Sequence, residues 1–203
     1  ALGPFREGLY GCSEMFVNGF MALIDAGVIR REVFDHEGIQ RLLNEGRIGK
    51  IPDEAMLVAL LEAGVVATPL SEKDFSVLRH FGILGEGVRL VGDKLEFAGQ
   101  SLPARLDDAL VRAALAAGGL GQQLKHGCLI HGGFFIGPNR FYQRLRELPR
   151  ELLEKINMTR VSFVNDTFGH EGLAVAQRQH ARFINTSMMV TLLGAAVSDA
   201  LES

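Results

Sequence analysis

Residues that mark several protein classes are scarce in this sequence. Tryptophan is absent, and tyrosine and cysteine occur only twice each in 203 residues. The two cysteines, Cys12 and Cys128, are far apart, and neither belongs to a C-x-x-C pair. The sequence therefore supports neither a disulfide-stapled scaffold nor a zinc ribbon, and a reduced, cytoplasmic setting is favoured. The six histidines show no metal-ligand spacing, so we predict no metal site and expect most of them on the surface.

A long apolar run and an excess of positive charge are also missing. The longest uncharged stretch, 183–198, contains polar side chains and is shorter than the ~20 apolar residues of a membrane-spanning helix. No signal peptide is predicted. The net charge is −3, and both signs are interspersed, so there is no basic stripe for a phosphate backbone. We therefore expect neither a membrane nor a nucleic acid as a partner.

Common catalytic and nucleotide-binding signatures do not occur. The chain has no G-x-S-x-G nucleophile elbow and no P-loop, and the glycines at 82–87 lack the dinucleotide-binding spacing. Gly132 and Gly133 follow His131 after an apolar stretch. Such a pair lets backbone N–H groups approach a ligand, or it merely permits tight packing. Both alternatives stay open.

The amino-acid composition of the chain is typical of a globular domain. Hydrophobic residues make up 47% of the chain and charged residues 22%, close to the average of soluble domains. Apolar residues recur at helical spacing between caps such as Ser13 and Asp53 and glycine stops such as Gly64. Helices are predicted at 13–28, 37–45, 53–63, 71–81 and 107–117, with a β-hairpin at 88–97.

The last part of the chain alternates between strand and helix patterns. The alternation is typical of a mainly parallel sheet flanked by helices, so we predict an α/β fold. The predicted strands lie at 128–136, 159–164 and 182–186. The predicted helices lie at 139–148, from 149 onward, at 172–179 and at 192–201.

Three segments resemble a known family. Residues 11–16 read Gly-Cys-Ser-Glu-Met-Phe and precede Asn-Gly-Phe at 18–20 and Leu-Ile-Asp-Ala-Gly-Val-Ile at 23–29; residues 158–169 read Met-Thr-Arg-Val-Ser-Phe-Val-Asn-Asp-Thr-Phe-Gly; and residues 181–190 read Ala-Arg-Phe-Ile-Asn-Thr-Ser-Met-Met-Val. In this order they resemble segments of the acetyl-CoA hydrolase/transferase family, which includes the 4-hydroxybutyrate, butyryl and succinyl CoA-transferases.

The resemblance implies a domain organisation. Residues 1–203 would form a C-terminal-type CoA-transferase/hydrolase domain, an open and mainly parallel sheet flanked by helices, with a helical and β-hairpin insertion at about 35–125. The family's N-terminal partner domain and its G-G-Q-x-x-F motif lie outside this chain, and Cys12 stands where many relatives carry His. We therefore expect little or no activity from the isolated chain.

The resemblance also assigns site residues. Glu14 occupies the position of the catalytic nucleophile, Asn165 and Asn185 are candidates for substrate binding, and Gly132 and Gly133 are candidate lining of the CoA pocket. Read from the residues alone, Glu14 lies in the first turn of the predicted helix, where the helix dipole favours a carboxylate and where such a charge is ordinary. The two asparagines are equally typical of turns that follow a strand.

The implied activity is that of an acyl-CoA:carboxylate CoA-transferase or an acyl-CoA hydrolase that passes through a glutamyl-CoA thioester. Acyl-CoA and a small carboxylic acid are the expected partners, together with the N-terminal domain of the same parent protein. The coenzyme A thioester is a substrate, and no permanently bound cofactor is expected. The alternative is a non-catalytic acyl-CoA-binding domain of the same fold. The acyl chain, the choice between transferase and hydrolase, and assembly as a homo-oligomer all stay open.

Overall fold

The computed structural model describes residues 6–184 and 187–197. In chain order the elements are β1 (Gly11–Phe16), α1 (Asn18–Asp25), α2 (Glu37–Asn44), α3 (Glu54–Glu62), α4 (Glu72–His80), β2 (Arg89–Val91), β3 (Lys94–Phe97), β4 (Gln100–Pro103), α5 (Ala109–Gly118), β5 (Ile130–Phe135), α6 (Asn139–Arg146), α7 (Arg150–Leu153), β6 (Ile156–Met158), α8 (Val161–Asn165), α9 (Glu171–Gln177), β7 (Met189–Val190) and β8 (Ala196–Val197).

The central element is a three-stranded parallel sheet with the order β1-β5-β6. Ser13 pairs with Gly132 across the first ladder, and His131 pairs with Asn157 across the second. Helices flank this sheet, so the predicted α/β class is confirmed at that level. Apolar side chains from the strands and helices meet in one core, whose buried members are Phe16, Met21, Ile29, Leu129, Ile130, Phe141 and Ile156.

A second hydrophobic core lies in the segment between β1 and β5. Its buried members run from Phe34 to Leu124 and come from α2 to α5 and from the antiparallel sheet β2-β3-β4. The segment begins and ends at one bridge, where the backbone N–H groups of Val33 and Cys128 each donate to the other residue's carbonyl at 2.8 Å. The segment predicted at about 35–125 therefore has its own core, while its description as an insertion stays a prediction.

Local sequence signals account for the helices of this segment. The Asp53 side chain accepts a hydrogen bond from the Met56 N–H at the start of α3. Ser71 and Asp74 form a reciprocal capping box at the start of α4, which satisfies N–H groups that have no partner inside the helix. The predictions for α2 to α5, for the hairpin β2-β3, and for α6, α7 and α9 are confirmed to within a few residues.

The helix predicted at 13–28 is wrong in its first part. Residues 11–16 form strand β1, and the helix α1 begins only at Asn18, after the N-cap residue Val17. Phe16 and Met21 are both fully buried, but they belong to a strand and a helix that follow each other. Their apolar spacing across this junction imitates one continuous helix, so Ser13 is not an N-cap.

The strands predicted at 159–164 and 182–186 are not found among the described residues. The strand of the first region is β6, which ends at Met158, and α8 follows it. Residues 182–184 have no regular structure, and Asn185 and Thr186 lie outside the described residues. The described part of the helix predicted at 192–201 is instead a turn followed by β8, which pairs with β7. Helix α8 has five residues, two of them valine, and is too short for periodicity to separate it from a strand.

None of the helices in residues 6–184 and 187–197 combines the length and the apolar character of a membrane span.

Candidate functional site

The structure brings together two of the residues predicted for the site. Glu14 is half-buried on β1, and Asn165 is the last residue of α8. The Asn165 Nδ2 amide donates a hydrogen bond to Glu14 Oε2 at 2.6 Å. The two residues are 151 positions apart in the chain, so this contact exists only in the folded molecule.

The surroundings of Glu14 differ from those that the sequence predicts. Glu14 lies inside β1 and not in the first turn of a helix, so the argument from the dipole of its own helix does not apply. The polar partner of the carboxylate is the Asn165 amide. Asn165 ends a helix rather than a strand, and Asn185 lies outside the described residues.

Gly132 and Gly133 lie on β5, beside β1. A Cβ atom on Gly133 would stand 2.9 Å from the Glu14 carbonyl oxygen and 2.8 Å from Val161 Cγ2, and one on Gly132 would stand 3.2 Å from Met158 Sδ. A side chain on Gly133 would therefore separate α8 from the strands. These contacts are those of tight packing, and this packing holds α8 close to Glu14. The assignment of both glycines to the lining of a CoA pocket stays a prediction.

A cleft of about 230 Å³ opens beside Asn165. Its polar lining includes Tyr10, Cys12, Asn165, Arg31, Arg178 and Arg182. No carboxylate of the described residues lines it. The cleft therefore has a positive lining, and it shares the Asn165 side chain with the Glu14 contact.

All three arginines donate hydrogen bonds to neutral groups. Arg182 donates to the carbonyls of His180 and Ala181 at 2.9 Å and 3.1 Å. Arg31 donates to the Gln177 carbonyl at 2.8 Å and to Asn44 Oδ1 at 2.9 Å. Burial lowers the pKa of Arg31, while the nearby Glu7 carboxylate raises it. Arg178 donates to the Val164 carbonyl at 3.1 Å and lies 3.5 Å from Cys12 Sγ. These contacts orient the guanidinium groups without neutralising their charge.

A second polar cluster, which the sequence did not predict, joins side chains of β5 and β6 to Tyr10, Asp35 and Gln177. His131 is fully buried, and its Nε2 lies 3.1 Å from Asp35 Oδ2. The Tyr10 hydroxyl lies 2.6 Å from His131 Nδ1. The amide of Gln177 donates to Asp35 Oδ1 at 2.8 Å, and the amide of Asn157 lies 3.2 Å from Asp35 Oδ2. We call these five residues the His131 network.

Burial raises the pKa of Tyr10 well above its usual value, so the phenol keeps its proton and can donate it to His131 Nδ1. Burial alone would raise the pKa of Asp35, but the hydrogen bonds from His131, Gln177 and Asn157 together hold it below its usual value. Burial also raises the pKa of the Cys128 thiol to about 12.

The network also supports the helix that carries Asn165. The ring centroid of Phe163, on α8, lies 5.0 Å from that of His131 and 4.9 Å from that of His170, with the latter pair stacked. Arg178 contacts the same helix at the Val164 carbonyl. The contacts of Phe163 and Val164 therefore help to hold α8, which carries Asn165.

Sequence reasoning missed Asp35, Arg31 and Arg178 as site residues and expected most histidines at the surface. Asp35 and His131 are 96 positions apart, and no spacing rule joins them. The only available signal was the position of His131 directly after an apolar stretch. Within residues 6–184 and 187–197, no group of three or more His, Cys, Asp or Glu side chains is arranged to hold a metal ion.

Comparisons with models of protein families, with curated proteins and with solved structures found no match for the chain.

Proposed function

We propose that the chain is the nucleophile-bearing domain of an acyl-CoA:carboxylate CoA-transferase or acyl-CoA hydrolase, with a CoA-transferase-like fold and Glu14 as the nucleophile. The observation that supports the proposal is the 2.6 Å hydrogen bond between Asn165 and Glu14. Two residues that the resemblance assigns independently to nucleophile and substrate binding are in contact. If the resemblance of the two segments were accidental, nothing would require these two residues to be in contact.

The proposed reaction begins at the Glu14 carboxylate, which acts as the nucleophile. It attacks the thioester carbonyl carbon of acyl-CoA. The C–S bond breaks, CoA leaves as a thiolate, and an acyl-glutamyl anhydride forms. The thiolate then attacks the glutamyl carbonyl carbon and releases the acyl group as a carboxylate, which leaves a glutamyl-CoA thioester.

The second half of the reaction reverses these steps with an acceptor acid. Its carboxylate attacks glutamyl-CoA, and the returning thiolate attacks the acyl carbonyl of the new anhydride, which regenerates Glu14. Water that reaches the anhydride or the thioester makes the same site a hydrolase, so water exclusion decides between the two activities.

In this proposal, the Asn165 side chain stabilises the oxyanion that forms in each attack. Each attack places negative charge on a carbonyl oxygen, and a donor that is already in place lowers the barrier. The Nδ2 group that donates to the Glu14 carboxylate can donate to the oxyanion once the carboxylate has reacted.

The remaining parts of the proposal concern partners and setting. Acyl-CoA and a small carboxylic acid are the substrates, no cofactor is permanently bound, and an N-terminal domain of the same parent protein covers the site. The free thiols Cys12 and Cys128 are compatible with a reducing cytoplasmic setting.

The decisive experiment uses the parent protein that carries this domain together with its N-terminal domain. CoA exchange and thioester cleavage are measured for the unmodified protein, for Glu14→Ala, for Asn165→Ala and for Glu147→Ala as an exposed carboxylate control. Glu14→Ala should abolish turnover, Asn165→Ala should lower kcat by about 10²–10³-fold, and the control should retain full activity. Full activity of Glu14→Ala would remove the nucleophile assignment.

Borohydride trapping separates the enzyme from the non-catalytic alternative. Borohydride reduces a glutamyl thioester, so it should inactivate the protein only after acyl-CoA has been added, and mass spectrometry should find the reduced side chain at residue 14. Binding of acyl-CoA without exchange, cleavage or trapping would favour the acyl-CoA-binding domain.

A further inference from the structure

We propose that the segment of residues 34–127, which contains the second hydrophobic core, positions the Asn165 amide at Glu14, and that Asn44, the last residue of its helix α2, is the positioning residue. The inference rests on the proposed function, because it treats Asn165 as the residue that stabilises the oxyanion. It gives a role in the reaction to a segment that supplies neither Glu14 nor Asn165.

The Asn44 side chain joins α2 to α9. Its Nδ2 group donates a hydrogen bond to the Ala176 carbonyl of α9 at 2.8 Å. Its Oδ1 atom accepts hydrogen bonds from Arg31 at 2.9 Å and from Gln40 at 2.8 Å. Both polar ends of the amide are therefore engaged, which fixes its orientation. A shift of α9 along α2 would break the bond to Ala176.

The neighbouring contacts between the segment and α9 are also polar and buried. Gln40 on α2 and Gln177 on α9 are each only 2% exposed. Gln40 Oε1 accepts from the Phe34 N–H at 2.8 Å, and Gln177 Nε2 donates to the Phe34 carbonyl at 3.0 Å. Hydrogen bonds are directional, whereas apolar contacts are not. This junction therefore favours a single placement of α9 on α2.

The two helices also approach each other closely at their first turns. Gly172 lies in the first turn of α9, and a Cβ atom at this position would overlap the Glu37 carboxyl group at the start of α2. With Asn44 near the other end, α9 is held against α2 along its whole length.

The end of α9 reaches the proposed site. Arg178 follows α9 directly and donates to the Val164 carbonyl at 3.1 Å. Val164 precedes Asn165 on α8, and the Asn165 amide donates to Glu14 at 2.6 Å. A displaced α9 would therefore displace the contact that holds α8 next to Asn165. Catalytic groups lose much of their effect when they are misplaced by a fraction of their hydrogen-bond length.

The kinetics of the parent protein test this role. Asn44→Ala removes all three hydrogen bonds of the side chain and should lower kcat by about 10-fold to 100-fold. KM should change little, because Asn165 acts on the charge of the transition state. Asn44→Asp keeps the acceptor for Arg31 and Gln40 but loses the donor to Ala176, so its kcat should lie between those of Asn44→Ala and the unmodified protein.

Leu60→Ala is the control for a loss of stability alone. Leu60 is fully buried in the core of the same segment and makes no polar contact with α9. At a temperature at which every variant is folded, Leu60→Ala should retain the kcat of the unmodified protein. An equal loss of kcat in Leu60→Ala and Asn44→Ala would overturn the proposal.

A double variant shows whether Asn44 acts through Asn165. If it does, Asn44→Ala in the Asn165→Ala background should change kcat by less than about 2-fold, because the group that it positions is already absent. Losses of kcat that multiply would overturn the proposal, and so would an unchanged kcat in the single variant Asn44→Ala.

Nitrogen–proton NMR of the chain itself gives a readout that does not depend on activity. The side-chain amide signal of Asn165, assigned by its loss in Asn165→Ala, should shift in Asn44→Ala and stay in place in Leu60→Ala. Unchanged signals from α3 to α5 report an intact segment. If Asn44→Ala does not fold, the same shift is required of Asn44→Asp. An Asn165 signal that does not move would overturn the proposal.

The two proposals fail separately. A parent protein in which Glu14→Ala keeps full turnover, while the Asn165 signal still responds to Asn44, would retain the coupling between Asn44 and Asn165 and remove the nucleophile. A parent protein that depends on Glu14 but not on Asn44 would retain the nucleophile and remove the positioning role.

Discussion

The buried histidine at position 131 illustrates how one residue depends on its partners. An imidazole without solvent contact must satisfy both ring nitrogens inside the protein. Tyr10 and Asp35 provide these contacts at 2.6 Å and 3.1 Å. Asn157 Nδ2 lies 3.1 Å from Nε2, and Cys128 Sγ lies 3.7 Å from Nδ1. Removal of Tyr10 or Asp35 therefore leaves the ring with fewer polar contacts, and a buried polar atom that loses a hydrogen bond is costly.

The lowered pKa of Asp35 predicts a pH dependence of stability. A carboxyl group whose pKa is lower in the folded state than in the unfolded state stabilises the fold above its unfolded pKa of about 3.9. That contribution is lost as the pH falls through the folded pKa. Asp35→Asn should therefore lower the free energy of unfolding by about 1 to 2 kcal/mol at pH 7, a range that is kept small because the Asp35 side chain is 39% exposed.

Urea denaturation at pH 7, 4 and 3 measures this effect. The difference between the unmodified chain and Asp35→Asn should shrink as the pH falls below 4. Asp93→Asn, in the exposed turn of the hairpin β2-β3, serves as the matched control and should differ little at any of these pH values. A constant difference across the series would contradict the role assigned to the Asp35 charge.

At the scale of elements, the junction of β1, β5 and α8 decides the geometry of the site. Gly133 lets α8 and the Glu14 backbone approach β5 more closely than any side chain would allow. The register of β1 and β5 sets the position of Glu14 along its strand. Helix α8 then brings the Asn165 amide to the Glu14 carboxylate.

Gly133→Ala should destabilise the chain because its methyl group would overlap the Glu14 carbonyl and Val161. Overpacking of this kind costs typically 1–3 kcal/mol. Gly118→Ala is the matched control: Gly118 ends α5, nothing lies near the added methyl group, and alanine favours a helix by roughly 0.5–1 kcal/mol. Thermal unfolding should therefore show opposite shifts of Tm, and a Gly133→Ala variant as stable as the unmodified chain would contradict the packing role.

At the scale of the molecule, the chain forms two hydrophobic cores, one beside the parallel sheet and one in the segment between Val33 and Cys128. The chain leaves the sheet after Val33 and returns at Cys128, and the two residues are hydrogen bonded to each other. Between them lies a complete core of helices and a small sheet. Contacts such as the hydrogen bond from Asn44 to the Ala176 carbonyl at 2.8 Å attach this segment to α9.

A chain of residues 34–127 should therefore fold by itself, with helical circular dichroism and cooperative thermal unfolding, at a lower Tm than the intact protein because the contacts with α9 are lost. Leu60→Ala in this fragment should lower its free energy of unfolding by about 2–5 kcal/mol, since Leu60 is fully buried. A fragment without a cooperative transition, or one that tolerates Leu60→Ala unchanged, would show that the segment depends on the rest of the chain.

The structure also shows why some elements were predictable. Asp53, Ser71 and Asp74 define helix starts through hydrogen bonds within three residues. The two-residue turn at Gly92, where φ is +60°, joins β2 and β3. Such local signals act on their own neighbours, so the sequence is sufficient to identify them.

The residues of the site are brought together by contacts between segments that are far apart in the chain. Glu14 was expected on a helix, and Asn165 was expected directly after a strand. Glu14 instead lies on strand β1 and Asn165 ends helix α8, because pairing with β5 and packing of α8 outweigh local preference. The resemblance selected both residues, but only the fold placed the amide of one at the carboxylate of the other.

By itself, the sequence determined the α/β class, most of the helices and the hairpin, because hydrophobic periodicity, caps and turns act between near neighbours. The residues of the proposed chemistry were selected by the resemblance to a family. Only the tertiary structure decided that Asn165 meets Glu14, that Asp35 meets His131 and that Arg31 joins Arg178 in one cleft. The physical reason is that these contacts join segments separated by up to 151 residues, and their geometry follows from sheet register and core packing.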